Sequence, residues 1–447
     1  MTPAMIGGLG ILALFVLMAI RVPIAFAMLA VGLAGTAALN GLNPALSMLA
    51  TESFTVATSY ELIVVPLFIL MGNVATQAGM SSSLYDAAYA WIGRLRGGLA
   101  SATIVGCAGF AALSGSSIAS ALTMGKVSIG EMDRFGYSPR LSTGVVAAGG
   151  TLGILIPPST GFVLYAILTQ QSIGRLFLAG VVPGILLALL FVGTVTLLCT
   201  IFPSWGPRGP RTNWTEKARA TLGALPILAI ILVSIGGIYT GIFSPIESSA
   251  VGAGLAIVLG FALRRLTLAG LWRAILGSGR TTATVMLILI SAYILNPFIS
   301  LTGVPHVVGE WLAGVTAGPI TTLVLILLCY LVLGCFLEGL SMIVLTMPIL
   351  YPIVIGLGFD PIWYGVIIVI VLEMAMISPP VGVNVFIVRS IAPRVPLAEI
   401  FLGVLPFWVA MILLVGILIL FPALATYLPD RMMQWGFKCC LRKHRSF

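Results

Sequence analysis

Apolar residues run along this chain in long stretches separated by short polar clusters, and the length of those stretches predicts membrane-spanning helices. Spans are expected near 4–20, 22–39 and 61–78. A run over 98–130 follows, interrupted by Ser114-Gly115-Ser116-Ser117, then a helix over 141–170 broken at Pro157-Pro158 and another over 176–202. The segment 203–220 is polar, basic and rich in Pro and Gly, and forms the clearest boundary in the chain. Beyond it the pattern returns: 222–239, 246–263, 281–301, a run over 319–356 interrupted at Glu338-Gly339-Leu340-Ser341, a helix over 362–388 broken at Pro379-Pro380, and 399–421. The expected fold is an all-α polytopic membrane protein of about ten full transmembrane helices, two re-entrant hairpins and two Pro-Pro-broken helices. It divides into a first repeat over 1–202, a linker over 203–220, a second repeat over 221–428 and a basic tail over 429–447.

Short echoes between the halves support a duplication. Ala30-Val31-Gly32 matches Ala250-Val251-Gly252, Leu122-Thr123-Met124 matches Leu345-Thr346-Met347, and Pro157-Pro158 matches Pro379-Pro380, at offsets of 220, 223 and 222. An odd number of full spans in each half makes the second half enter the membrane from the opposite side, so the repeats are expected to be inverted. Charge agrees with that topology. With the 203–220 linker in the cytoplasm, the loops carrying Arg21, Arg94, Arg96, Arg134, Arg140, Arg389 and Arg394 and the segment from Arg264 to Arg280 all fall inside. The loops 40–60 and 302–318 fall outside and contain no Lys or Arg. The tail disagrees: ten spans place it outside, yet it carries Arg431, Lys438, Arg442, Lys443 and Arg445.

Of the 447 residues, 60% are hydrophobic and 8% charged, which excludes a soluble globular enzyme. The 51 Gly and 26 Pro lie scattered inside apolar segments, as expected of broken helices. Lys and Arg number 22 against 13 Asp and Glu, but no basic stripe with interleaved aromatics suggests nucleic acid, and the excess reads as topology. Cys107, Cys199, Cys329, Cys335, Cys439 and Cys440 form no spaced ligand set, and two histidines, His306 and His444, are too few for a His-based metal centre. The apolar stretch from Met5 to Ile20 passes through Arg21 into another span and is expected to be a helix, not a cleaved leader.

Non-helical backbone at membrane depth survives only inside protein or along a cavity, and four such breaks are expected here: the two hairpin tips and the two Pro-Pro breaks. Gly149-Gly150-Thr151-Leu152-Gly153 precedes the first Pro-Pro break, and Gly382 and Asn384 follow the second. Freed carbonyls with Ser, Thr and Asn oxygens suit a hard cation such as sodium, while half-helix N-termini favour an anionic group. Any single break more often serves tight packing or a kink, but four placed as two symmetric pairs reverse that preference and favour a binding site. Glu61 and Glu247 lie at the start of spans, whereas Glu338 at a tip and Glu373 within a span leave proton coupling open beside sodium. No nucleophile elbow and no Walker-type phosphate loop appear, so no enzyme motif and no cofactor is expected.

GCAGFAALSGSSIASALTMGKV (106–127), GYSPRLSTGVVAAGGTLGILIPPST (136–160), GIFSPIESSAVG (241–252), FLEGLSMIVLTMPILYPI (336–353) and EMAMISPPVGVNVFIV (373–388) resemble the large membrane subunit of tripartite ATP-independent periplasmic (TRAP) transporters. The resemblance extends from about residue 5 to 429. It implies the ion-transporter fold and an elevator-type, sodium-coupled importer of organic acids, carboxylates or sialic-acid-like sugars, in a bacterial inner membrane. Its implied partners are a small four-helix membrane subunit and a soluble periplasmic substrate-binding protein. The sodium sites it implies fall on Ser114, Gly115, Ser116 and Ser117 with Gly153 and Pro157, and on Gly339 and Ser341 with Ser378 and Pro379. Substrate contacts are expected from Ser117, Thr151, Ser159, Ser341, Gly382 and Asn384. A standalone sodium- or proton-coupled anion transporter or exchanger of the same fold, needing no binding protein, is the alternative. A membrane-embedded enzyme would need clustered His, Asp or Cys that the spans lack.

Overall fold

The structure, a computed structural model, describes residues 2–209, 212–315 and 318–431. Helices α1 (Pro3–Ala19), α2 (Ile24–Asn40) and α3 (Leu42–Thr58) lead through a tight turn at Tyr60–Ile63 into α4 (Val64–Gln77) and α5 (Met80–Ile92). The first hairpin is α6 (Gly98–Ser114) with α7 (Ser117–Arg134); the first broken helix is α8 (Pro139–Leu155) with α9 (Thr160–Thr169), bent by 40°, and α10 (Ile173–Ile201) follows. The second half runs α11 (Trp214–Tyr239), α12 (Pro245–Ala262), α13 (Leu268–Thr302) and α14 (Val304–Val315). Its hairpin is α15 (Pro319–Leu333) with α16 (Gly339–Gly356), its broken helix α17 (Pro361–Ile377) with α18 (Val383–Ile391), and α19 (Leu397–Leu420) follows. Among the described residues seven helices are individually long and apolar enough to cross a membrane, or eight with α8 and α9 taken as one span, so the chain is a multi-pass membrane protein.

Local chemistry sets the ends of these elements. Proline occupies the first turn of α8 and α17, where its missing N–H costs nothing, and the Asp360 carboxylate accepts from Trp363 N at 2.8 Å to start α17. Ser244 and Glu247 make a reciprocal capping box on α12, and Asn213 with Glu216 does the same for α11. Helix α11 therefore begins inside the expected 203–220 linker. The 203–209 part is held down as well. Gly97 N donates to Gly206 O, Ser138 N to Trp205 O and Gly209 N to Gly93 O at 3.0–3.2 Å, and the Tyr137 hydroxyl donates to Pro207 O at 2.9 Å while accepting from Leu99 N at 3.2 Å. Burial pushes the Tyr137 phenol up to about 12, so it keeps the proton it donates.

The helices sort into two packed groups that also meet where α4 and α5 pack on α6. Helix α13 lies against α1, α2, α3 and α4, with α12 on α4 and α11 on α5 and α12. The second group is built around α8, which packs on α6, α7, α10, α17, α18 and α19. Its interior helices are α8 and α17: every residue from Leu141 to Leu155 and from Ile362 to Ile377 is buried. Within it, each hairpin's returning arm packs on the second part of the other half's broken helix, α7 on α18 and α16 on α9. A separate core of Leu14, Met28, Ile288, Leu295, Phe298 and Val344 joins the first group to α16.

Three differences from the sequence reading stand out. The expected loops 40–60 and 302–318 carry α3 and α14, and α13 begins at Leu268, well before the expected span at 281. The segment from Gly149 to Gly153 is regular helix, not unwound backbone. Its glycines serve close approach: a Cβ at Gly150 would stand 2.7 Å from Ala121 Cβ of α7. Helix continues over 423–431, and the rest of the basic tail, with Cys439 and Cys440, lies outside the described residues.

Candidate functional site

The first tip is built by one left-handed residue and one cap. Gly115, at φ +57°, ends α6, and Ser116 in extended conformation starts α7 by accepting from Ala119 N at 3.4 Å. Ser114 and Ser120 share a hydroxyl hydrogen bond of 2.8 Å across the turn. The first Pro-Pro break docks directly on this tip. Thr160 donates to Gly115 O through its backbone N at 3.3 Å and its hydroxyl at 2.7 Å, and Ser159 caps α9 by accepting from Phe162 N at 3.3 Å. Gly153 closes the third side, for a Cβ there would lie 2.5 Å from Ser116 O and 2.7 Å from Ser120 Oγ. The structure thus brings Ser114, Gly115, Ser116 and Ser117 together with Gly153, Ser159 and the buried turn at Pro157 and Pro158. Thr151 is fully buried, and its hydroxyl donates to Ala148 O of its own helix at 2.6 Å.

The second tip meets the second break in the same way but more openly. Cys335 reaches Pro379 O at 3.5 Å, while Phe336, Glu338, Pro379 and Pro380 are exposed. Ser378 donates to Met374 O at 2.7 Å and accepts from Trp408 Nε1 of α19 at 2.8 Å, which anchors the break. Gly382, at φ +53°, starts α18, and Ser341 is buried in the first turn of α16. The two tips then meet at one side chain of α17. Ser117 Oγ lies 3.7 Å from Met376 Sδ, and a Cβ on Gly339 would lie 3.3 Å from the same sulfur. The N-termini of α7 and α16 therefore open at the end of α17, with that of α18 following the second break and that of α9 held on the first tip at Gly115, each adding a partial positive charge.

Two buried polar groups at this place lack hydrogen bonds. Both amide atoms of Asn384 and both carboxylate oxygens of Glu373 are unpaired, with the residues 0% and 1% exposed. Sequence reasoning placed Asn384 in the site and passed over Thr160, Ser120, Met376 and Trp408. Thr160 follows the expected Ser159 directly and was the most readable of these; Met376 and Trp408 carry no sequence mark of their role.

Cationic side chains stand away from the tips. Arg389 donates to Val395 O, in the loop after its own helix, and Arg140 makes a bidentate pair with Glu399 at 2.7 and 3.0 Å. Lys126, Arg140 and Arg394 line a cavity of about 800 Å³ with Asp133 and Glu399, at the far ends of α7 and α18 from the tips.

Known proteins resemble this chain in fold and in sequence. The solved structure of the Alcanivorax borkumensis YdaH transporter superposes with a TM-score of 0.59 at 14% identity over 89% of this chain and 90% of that one, a likeness of fold. A C4-dicarboxylate TRAP transporter large permease protein of Pseudomonas aeruginosa is 36% identical over 89% of this chain and 93% of its own length. The isethionate TRAP transporter permease protein DctMQ of Oleidesulfovibrio alaskensis is 34% identical over 86% of this chain, which covers 60% of that longer protein. Residues 11–424, from within α1 to just past α19, match a family described as tripartite ATP-independent periplasmic transporter, DctM component. That match takes in both hairpins and both breaks, and the chain belongs to this family of large TRAP transporter permeases.

Proposed function

We propose that this chain imports an organic anion across the bacterial inner membrane by sodium coupling, taking substrate from a periplasmic binding protein and working beside a small four-helix membrane subunit. The meeting of both hairpin tips on Met376, each backed by its own Pro-Pro break, carries this reading. Hydroxyls and turn carbonyls at each tip supply hard oxygens for sodium, on Ser114 to Ser117 with Gly153 and Pro157, and on Gly339 and Ser341 with Ser378 and Pro379. The four N-termini, with Ser117, Ser159, Ser341, Gly382 and Asn384, hold the acid, and Thr151 supports the first site through its helix. Relatives named for a C4-dicarboxylate and for isethionate support an anionic cargo, and the name DctMQ of the second supports the small subunit.

The halves are read as inverted repeats. Arms α7 and α16 both span 18 residues, α8 and α17 both span 17, and the Pro-Pro pairs at 157 and 379 lie 222 positions apart. The group around α8 and α17 is read as the moving body of an elevator. The group around α13 is its stationary frame, and the apolar seam against α16 is where the two slide.

Ser116→Ala removes a tip oxygen and a cap worth about 1 kcal/mol, so the half-saturating sodium concentration for uptake is expected to rise roughly fivefold. An unchanged sodium requirement in folded protein removes the first tip from the site. Arg389→Gln and Lys126→Gln are expected to leave substrate affinity within about threefold, because neither side chain reaches the tips. A collapse of binding in either variant would assign recognition of the acid to a cationic side chain.

A further inference from the structure

Glu373 is a carboxylate with no visible reason to be where it is. It lies four residues before the end of α17, 1% exposed, and neither oxygen makes a hydrogen bond. Among the described residues Arg140 pairs with Glu399 and Arg175 with Asp430, and neither pair reaches it. Placing a carboxylate unpaired at membrane depth is unfavourable, and such a residue marks an ion path or a missing partner. The corresponding position of α8, 222 residues earlier, is Thr151, which satisfies itself on Ala148 O.

The hydroxyl of Ser117, at the start of α7, packs against α17 on the face that carries Glu373. Spacing explains the approach, because Glu373 and Met376 are three apart on one helix face and Ser117 Oγ touches Met376 Sδ at 3.7 Å. A thioether is a weak acceptor, so the serine oxygen keeps lone pairs free for a cation. We propose that Glu373, with Ser117 at the edge of the first tip, forms a binding site for one further hard monovalent cation, sodium under physiological conditions, in addition to the ions read at the two tips.

The inference rests on sodium coupling as read above and adds an ion to it. One carboxylate balances one positive charge, which favours a monovalent ion over calcium or magnesium, whose sites gather several oxygens and more negative charge. The position gives the ion a task. Ser117 belongs to the first tip, Gly339 of the second tip abuts Met376, and Glu373 is one helical turn from that contact, so an ion held here ties both hairpins to α17. Loading it would fix the substrate-binding geometry of both halves together.

The test counts sodium. Radioactive sodium binding to the purified full-length chain in lipid nanodiscs is measured for wild type, Glu373→Gln, Glu373→Asp and Ser117→Ala. Glu373→Gln is expected to bind one sodium ion fewer per chain than wild type. Glu373→Asp, with the carboxylate drawn back by one methylene, and Ser117→Ala are each expected to weaken one class of sites by roughly fivefold or more. Unchanged number and affinity in Glu373→Gln overturns the proposal. Should that variant not fold, unchanged affinity in Glu373→Asp and Ser117→Ala overturns it equally. A wild-type chain that binds no sodium instead contradicts the coupling reading itself, so the two failures are told apart.

Discussion

Gly153→Ala is expected to lower uptake by roughly tenfold or more in protein that still reaches the membrane. The added Cβ would stand 2.5 Å from Ser116 O and 2.7 Å from Ser116 C, both backbone atoms of the tip, so no flexible side chain can give way. Either α7 retreats from α8 or the tip turn deforms. Overpacking of this kind costs about 1–3 kcal/mol, which a helix buried from Leu141 to Leu155 can absorb without unfolding. The binding site cannot absorb it, because oxygen ligands of a hard cation must lie within a few tenths of an ångström of their positions. Sodium affinity should fall together with uptake. Gly153→Ala with normal uptake and normal sodium dependence would show that the contact of Ser116 with α8 plays no part in the site.

Asn384→Leu is expected to move stability and transport in opposite directions. Both amide atoms are buried without partners, so an apolar side chain of similar shape relieves a desolvation cost of about 1–3 kcal/mol and raises the melting temperature. Substrate loses a hydrogen bond to a charged group in a dry site, worth about 1.5–3 kcal/mol, so affinity should drop roughly ten- to a hundredfold. Binding of labelled substrate and thermal unfolding on the same sample separate the two effects. A Leu variant that is more stable and transports normally would make Asn384 a structural remnant and remove it from the substrate site.

The four breaks were legible in the sequence because Ser, Gly and Pro-Pro leave a compositional mark inside apolar runs that must otherwise be continuous. Gly115, Gly382 and both Pro-Pro pairs sit where that mark placed them, whereas the second tip occupies 334–338, ahead of the expected Glu338–Ser341, because Gly339 to Ser341 form the first turn of α16. Helix α3 was not legible. Thr51, Thr55 and Thr58 bond back to carbonyls four residues earlier, and Ala45 and Val56 are its buried residues, so its sequence lacks an apolar stripe and resembles a loop. The first turns of α13 were hidden by Arg273 and Arg280, whose charges end the apolar window while the helix runs on. Gly149 to Gly153 misled in the other direction. Glycine weakens a helix in isolation, yet here it lets α7 and α8 approach, and the packing gained keeps the helix intact. The sequence could place Glu373 and Asn384 in apolar spans, but that their neighbours leave them unpaired is a property of the assembled helices, since it depends on which side chains α7 and α8 turn toward them.

The most direct measurement is uptake of a labelled C4-dicarboxylate or other organic acid into proteoliposomes holding this chain with its small membrane subunit and binding protein, under an imposed sodium gradient or, in sodium-free buffer, under a proton gradient alone. Coupling at the paired tips predicts accumulation that follows the sodium gradient and fails without sodium whatever the proton gradient. Equal accumulation on protons alone in sodium-free buffer would contradict it.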